Sequence, residues 1–284
     1  MKRDFIKFIS RIFFSILIVF IQCSNAFAWT VAPVRFEVKG EKGKEYTLTF
    51  SVLNESQLYQ KRFEIQTDDW IIDSKNNFLR KAFNKEVNNK YSASSWIKVT
   101  PQQFVVPPGE TKNIRFTITV PNEIISDGEY STGIFVGEKN IEKPQKGEKV
   151  VHIKQDTFIG VVVYIRVGEE KHNIALKNLE INTKSLKDGL SKVTVIPKFE
   201  CSGNVHSRAK LLVKMEPVSN QPENDKKEFN AGELVVLRES EVEYPIDIPE
   251  PLKDGSEWKF TVKADFDKDS PILVGTKKYK IPSK

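Results

Sequence analysis

The sequence predicts an all-β protein built from two immunoglobulin-like sandwiches. Nearly every apolar segment is short, rich in Val, Ile, Phe and Thr, and bounded by Gly, Pro, Asn or Asp. Residues 94–136 string three such segments together on proline and glycine turns. Within them the apolar side chains alternate with polar ones, the period-two pattern of a half-buried strand, at Ile114, Phe116, Ile118 and Val120.

Residues 1–28 are predicted to be a cleaved signal peptide. Basic residues precede an apolar run at 12–21, and Ala26-Phe27-Ala28 supplies an A-x-A cleavage site. Cys23 raises the alternative of lipidation, but the residues before it are not small. The apolar run is too short to span a bilayer comfortably, so we expect export without a membrane anchor.

Cleavage would lower the formal net charge from +6 to about +3 by removing four basic residues and Asp4. Lysines and acids are mixed along the rest of the chain, which disfavours a nucleic-acid partner. Of the two cysteines only Cys201 would remain. We therefore predict no internal disulfide and a Cys201 that packs as a small apolar side chain.

The first sandwich is predicted to occupy residues 29–168. Its eight strands are bounded by turn residues, and a proline-glycine turn follows Val106. We place them at residues 31–38, 46–54, 62–71, 96–99, 104–106, 113–120, 130–137 and 158–167.

The second sandwich is predicted to occupy residues 169–284. Polar interruptions at residues 74–93, 138–149 and 219–230 contain few apolar side chains and are predicted to be loops. The second set of strands is predicted at residues 174–181, 192–201, 208–216, 233–237, 242–248, 258–265 and 275–281.

Several short motifs occur in a characteristic order in the first predicted sandwich. They are Pro33-Val34-Arg35-Phe36, Ser51-Val52-Leu53-Asn54, Pro101 with Phe104, Pro108-Gly109-Glu110, Ile114-Arg115-Phe116 and Gly128-Glu129-Tyr130. In these motifs the chain resembles the amino-terminal domain of periplasmic pilus (fimbrial) chaperones, the PapD-like family, as a divergent member. Residues 199–206 also resemble an asparagine-glycine turn in the second sandwich of related exported proteins.

This resemblance implies a periplasmic chaperone that lends its last first-domain strand to an unfolded pilus-type subunit. The matching segment is residues 152–167, where five apolar side chains occupy one face and are candidate subunit-binding residues: Ile159, Val161, Val163, Ile165 and Val167. The strand is apolar on both faces, so a central strand buried on both sides is an equal alternative. Residues 138–149 would lead into this strand.

The resemblance also implies a basic pair between the domains that grips the subunit's terminal carboxylate. Arg35 matches one member of that pair. The lysine that the family carries within the last strand is absent, because Val161, Val162 and Val163 stand there. Arg166 matches the arginine that helps to orient the two domains.

Other chemistry has little support in the residues. No histidine has a second ligand at metal-binding spacing, and no nucleophile motif or phosphate loop is present. We therefore predict neither an enzyme nor a cofactor or metal.

Two hypotheses follow. The first is a subunit chaperone, with an outer-membrane usher as a further partner and a homodimer capping its apolar edge. The second is a secreted, non-catalytic adaptor that binds a cell-envelope protein or surface polymer through its loops, residues 74–93 above all.

Overall fold

The computed structural model describes residues 29–81, 90–139, 157–218, 227–266 and 272–283. The predicted signal peptide therefore lies outside the described residues, as do most of the segments at 138–149 and 219–230. The described chain is all-β apart from one 3-10 turn, Ser94–Trp96. Among the described residues, no helix is long and apolar enough to cross a bilayer.

Within the described residues, ten strands form the first sandwich. One sheet has the order β1-β3-β8-β6, and the other has the order β2-β10-β9-β4-β5, with β7 also paired to β4. This is the strand order of an immunoglobulin-like domain, as predicted. The strands are β1 (Trp29–Ala32), β2 (Arg35–Gly40), β3 (Glu45–Asn54), β4 (Lys61–Ile72), β5 (Phe78–Lys81), β6 (Ile97–Thr100), β7 (Gln103–Val106), β8 (Thr111–Thr119), β9 (Gly128–Glu138) and β10 (Phe158–Val167).

The single strand predicted at residues 31–38 is two strands in different sheets. β1 pairs with β3, whereas β2 pairs with β10. Pro33 lies between them, and because proline has no N–H to donate, the ladder cannot continue through it. This change of sheet sets where β2 begins along β10.

Part of the predicted loop at residues 74–93 is instead a hairpin. Asp73 accepts hydrogen bonds from the main-chain N–H groups of Lys75 and Asn77, and these bonds close a turn between β4 and β5. Trp70 and Ile72 of β4 then lie opposite Arg80 and Phe78. A short polar turn between two strands has the hydropathy of a loop, so the hydropathy pattern alone does not reveal such a hairpin.

In the described part of the second sandwich there are nine strands, with a separate core around Phe199, Leu211 and Phe260. β12 pairs with β11, β15, β16 and β17, and the facing sheet has the order β14-β13-β18-β19. β14 begins inside the predicted loop at 219–230. The strands are β11 (Ile174–Ser185), β12 (Leu190–Cys201), β13 (Ser207–Pro217), β14 (Lys227–Val236), β15 (Ser240–Glu243), β16 (Ile246–Asp247), β17 (Leu252–Lys253), β18 (Glu257–Phe266) and β19 (Leu273–Lys280).

Candidate functional site

β10 is covered unequally on its two sides. β9 pairs with it along its whole length, from Phe158 to Val167, but β2 pairs only from Val162 onward. The N–H of Val162 donates to the carbonyl of Val34 at 2.9 Å. Main-chain groups alternate in direction along a strand, so those of Phe158 and Gly160 face the same side as those of Val162. No described strand pairs with them there, and we call this side of residues 158–161 the open edge.

The five predicted subunit-binding side chains face the interior of the first sandwich. Val161, Val163 and Ile165 are 0% exposed and Val167 is 1% exposed. Ile159 is partly buried against the same core. In this conformation strand alternation turns the four buried side chains toward the opposite sheet, and their contact with a client stays a prediction. Residues 162–167 form a central strand of the sheet, with β2 on one side and β9 on the other.

The other face of β10 carries an aromatic surface beside the open edge. Gly160 has no side chain, and a Cβ there would lie 3.1 Å from the ring of Phe135. The ring of Phe158 likewise fills the space above Gly137. The Arg80 guanidinium lies 4.4 Å and 4.5 Å from the centres of the Phe135 and Phe158 rings. The open edge is therefore bordered by a flat aromatic and cationic surface.

Arg35 lies at the end of the open edge, opposite Val162 in the register of β2 and β10. Its side chain is 48% exposed, and its Nε is 3.6 Å from a carboxylate oxygen of Glu37. Residues 35, 37, 162, 164 and 166 share the outer face of the sheet. The valines that replace the expected lysine leave Arg35 without a basic neighbour from the adjacent part of β10.

Arg166 takes part in a buried ionic cluster between the sandwiches. Its Nε donates to Glu129 Oε2 at 3.1 Å, and Glu129 Oε2 lies 2.7 Å from Nδ1 of His206. Glu129 is 4% exposed and His206 3% exposed as side chains. The carboxylate of Glu129 therefore joins the first sandwich to the second.

Main-chain contacts and a second arginine complete this junction. The N–H of Glu129 donates to the carbonyl of Asn204 at 2.8 Å. Gly128 has a φ of +122°, and a Cβ there would lie 2.4 Å from that carbonyl, so the approach requires glycine. Arg238 donates to the carbonyl of Glu129 at 2.9 Å and lies 3.4 Å from the ring centre of Tyr91. These partners come from distant parts of the chain, so no local motif indicates that they meet.

Tyr164 stands where the junction meets the outer face of β10. Its ring stacks on His206 with a 4.1 Å centroid separation and lies edge-on to Trp70 at 5.8 Å. Burial is the main cause that raises the pKa of the Tyr164 phenol, and the Glu129 charge adds to it. The charges of Arg208 and Arg35 act in the opposite direction. The outer surface of the sheet at this point carries Arg35, Glu37 and Tyr164, and we call it the junction surface.

Side chains that can bind metals are scattered over the described parts of the chain. No group of three or more metal-ligating side chains occurs there. His206 Nδ1 contacts the carboxylate of Glu129, and His172 lies on the surface with Nε2 3.8 Å from Glu170. The features that remain are an open strand edge, an arginine at its end and the polar junction surface.

No family model and no curated protein matches this chain. Among solved structures it is similar to a chain of the chaperone-tip adhesin complex of CFA/I fimbriae (14% identity, 88% of this chain and 98% of that chain covered, TM-score 0.42). It is also similar to the E. coli chaperone DraB (12%, 88% and 96%, TM-score 0.41). A chain from the Salmonella enterica SafA pilin complex with the SafB chaperone gives 10% identity, 90% and 99% coverage and a TM-score of 0.42. These values are too low to carry an argument about function.

Proposed function

We propose that this protein is a periplasmic, non-enzymatic chaperone that binds an exported β-rich subunit of the pilus type by strand addition at the open edge of β10. The observation that carries the proposal is the unequal cover of β10, which leaves main-chain groups of Phe158 and Gly160 without a described strand partner. A client strand can satisfy these groups, and main-chain hydrogen bonds give such complexes their affinity.

The structure also indicates a direction for the added strand. β2 runs parallel to β10 and begins opposite Val162. A client strand that continues the line of β2 past its first residue would also run parallel to β10. Its carboxyl end would then meet the first residues of β2, where Arg35 lies. This supports the predicted role of Arg35 as an anchor for a terminal carboxylate.

The predicted subunit-binding residues take different roles in this proposal. Ile159 lies within the open edge and remains a candidate client contact, together with the outward-facing Phe158. The other four pack in the core and fix β10 against the opposite sheet: Val161, Val163, Ile165 and Val167. We assign Arg166 to the interdomain junction, where its Nε donates to Glu129, and we propose no direct client contact for it.

Site-specific photocrosslinking in the exporting cell tests the proposal. A photoreactive phenylalanine at position 158 should capture a small exported β-protein. The same group at Thr49, on the exposed face of the opposite sheet, is the matched control. Capture from both positions, or from neither, would contradict strand addition at β10.

A main-chain variant sharpens the test. Gly160→Pro removes an N–H that faces the open edge and makes no ladder bond to β9, so it should abolish capture. Gly160→Ala keeps that N–H but adds a Cβ close to Phe135, and it controls for crowding. Both variants must first show the native circular-dichroism spectrum. Equal loss of capture in both would attribute the effect to packing instead of to the hydrogen bond.

The adaptor hypothesis has one supporting observation. On the edge strand β5, Phe78 is 50% exposed and Leu79 is 42% exposed, an apolar pair within the segment 74–93. A photoreactive group at position 79 should capture an envelope component if the adaptor hypothesis holds. An usher and a homodimer capped at the open edge remain proposed partners, and the first can be sought in the same capture experiment.

A further inference from the structure

The open edge is ordered by its sheet from one side only. Residues 158–161 pair with β9 but not with β2, which begins opposite Val162. Within this segment Gly160 has no side chain to pack, and glycine loses more backbone freedom than any other residue when it is fixed. A strand that is already extended binds a partner at a lower entropic cost. Contacts that hold this segment extended therefore favour strand addition.

One such contact comes from the far side of the sheet. Arg80 lies on β5, the last strand of the order β2-β10-β9-β4-β5, yet its side chain reaches β10. Its guanidinium lies 4.4 Å from the ring centre of Phe135 and 4.5 Å from that of Phe158, and both distances are typical of a cation–π contact. Arg80 therefore connects β5 to the open edge through the ring of Phe158.

Two residues of β4 hold the Arg80 guanidinium in place. Its Nε donates to Asp68 Oδ2 at 2.7 Å, and its Nη2 donates to Asp68 Oδ2 and to Gln66 Oε1. The Arg80 side chain is 25% exposed and that of Asp68 is 14% exposed, so solvent competes only partly for the pair. A planar guanidinium that is fixed along one edge keeps its faces free for stacking.

Glycines of β9 give the two rings room on the sheet. Gly137 lies opposite Phe158, and a Cβ at Gly137 would be 2.4 Å from the Phe158 ring. A Cβ at Gly133 would be 2.5 Å from the ring of Phe135. Each ring therefore covers a glycine, and a larger residue at either position would displace the ring from Arg80.

The hairpin that carries Arg80 is itself fixed at two points. The ring of Phe78 stacks on Trp70 with a centroid separation of 5.3 Å. In the turn, the carbonyl of Ser74 accepts a hydrogen bond from the N–H of Glu243, in the second sandwich, at 2.7 Å. The strand from which Arg80 extends is therefore held by both sandwiches.

We propose that Arg80 is a positioning residue for the open edge. It holds Phe158 on β9, and the fixed ring keeps residues 158–161 in the extended form to which a client strand adds. This rests on the proposed function, in which the client binds at this edge. Arg80 makes no hydrogen bond to the described residues of β10, so it acts through the ring of Phe158.

Amide hydrogen exchange of the mature full-length chain tests this role. The N–H groups of Ile159 and Val161 point to β9, so their exchange rates report how firmly the edge is paired. Arg80→Gln should accelerate both about tenfold, the combined effect of two cation–π contacts. The N–H of Val163, where β10 is paired on both sides, should change less than about twofold. Equal acceleration of all three would indicate a global loss of stability and would overturn the positioning role.

Two further variants show whether Arg80 acts through the ring. Lys139→Gln is the matched control, because it removes an ion pair with another carboxylate of β4, Glu64, at 3.0 Å, and it should leave the exchange of the edge unchanged. The double variant Arg80→Gln/Phe158→Leu should exchange at the rate of Phe158→Leu alone. Additive effects of the two substitutions would contradict a role through Phe158.

Client capture in the exporting cell connects the order of the edge to binding. A photoreactive group at Ile159 leaves Phe158 in place. In this background Arg80→Gln should lower capture at least about threefold, and Lys139→Gln should leave it unchanged. Faster exchange of the edge in Arg80→Gln with undiminished capture would overturn the proposal.

The two measurements separate this role from strand addition itself. If Arg80→Gln accelerates exchange at Ile159 and Val161 but the unsubstituted protein captures no client, the ordering by Arg80 stands and strand addition fails. If the unsubstituted protein captures a client and Arg80→Gln changes neither exchange nor capture, strand addition stands and the positioning role is overturned.

Discussion

Glu129→Ala should destabilise the protein more than any exposed ion-pair variant on the same sheet. The substitution leaves Arg166 and the buried His206 without their common partner. Removal of one member of a buried pair costs roughly 3–5 kcal/mol. Arg166 keeps a bond to Glu37 at 3.2 Å and is 18% exposed, so solvent recovers part of the loss. We therefore expect about 3 kcal/mol, the lower end of that range.

Urea unfolding measures this change. With an m-value of about 2 kcal/mol/M, a loss of about 3 kcal/mol lowers the midpoint by about 1.5 M. Trp258→Phe in both backgrounds leaves the tryptophans of the first sandwich as reporters. Glu37→Ala is the matched control, because Glu37 also binds Arg166 but is 36% exposed, and it should cost less than about 1 kcal/mol. Equal midpoint shifts for the two variants would refute the buried-cluster argument.

Three further predictions concern buried side chains. Val163→Asp should prevent folding, because it places a charge in a fully buried core position, whereas Thr49→Asp should keep the native circular-dichroism spectrum; a folded Val163→Asp would contradict the core assignment. Burial holds the Tyr164 pKa above the unfolded value of about 10, so its contribution to stability is complete below that pH and is lost as the pH rises toward the folded-state pKa. Tyr164→Phe should remove that part of the alkaline loss in urea titrations, and an unchanged profile would refute it. Burial also raises the pKa of the Cys201 thiol, so Ellman's reagent should react only after denaturation, and rapid reaction of the native protein would show that the site is accessible.

The fold was largely predictable because its signals are local. Alternation in β8 and the proline and glycine turns around it depend only on neighbouring residues, and β10 has the predicted bounds of residues 158–167. The predicted strand at 31–38 was wrong in one respect, its continuity through Pro33. Whether a chain stays in one sheet after a proline depends on which partner strand is nearest, and hydropathy does not record that.

The site was less predictable because its contacts are distant in sequence. Arg35 and Arg166 were identified from local motifs. Their partners Glu37 and Glu129 can be recognised only when the pairing of β2, β9 and β10 is known. In the sequence, His206 has no second ligand at metal-binding spacing and ends the segment 199–206, and neither feature indicates a role between the domains. It becomes the connection between the sandwiches because β13 begins beside β10.

The predicted row of apolar side chains on β10 shows a more general limit. A strand with apolar residues on both faces does not reveal which face the core takes. Here the core takes the odd-numbered residues, while Tyr164 and Arg166 on the other face meet the second sandwich. The feature that supports client binding is a main-chain edge, and no side-chain pattern can indicate one.

β10 connects the proposed binding site to the interdomain junction along one continuous strand. Residues 158–161 provide the open edge, Val162 marks where β2 begins, and Tyr164 and Arg166 contact the groups that join the second sandwich. A client strand that ends beside Arg35 would lie within a few residues of the Glu129 cluster, which joins the two sandwiches. Client binding should therefore stabilise the present arrangement of the sandwiches, because a ligand that binds beside the junction in one arrangement favours that arrangement. Glu129→Ala should then weaken capture of the client by residue 158 as well as stability, although Glu129 makes no contact with the proposed client. A Glu129→Ala protein that is destabilised yet captures the client in full would show that the junction and the open edge are independent.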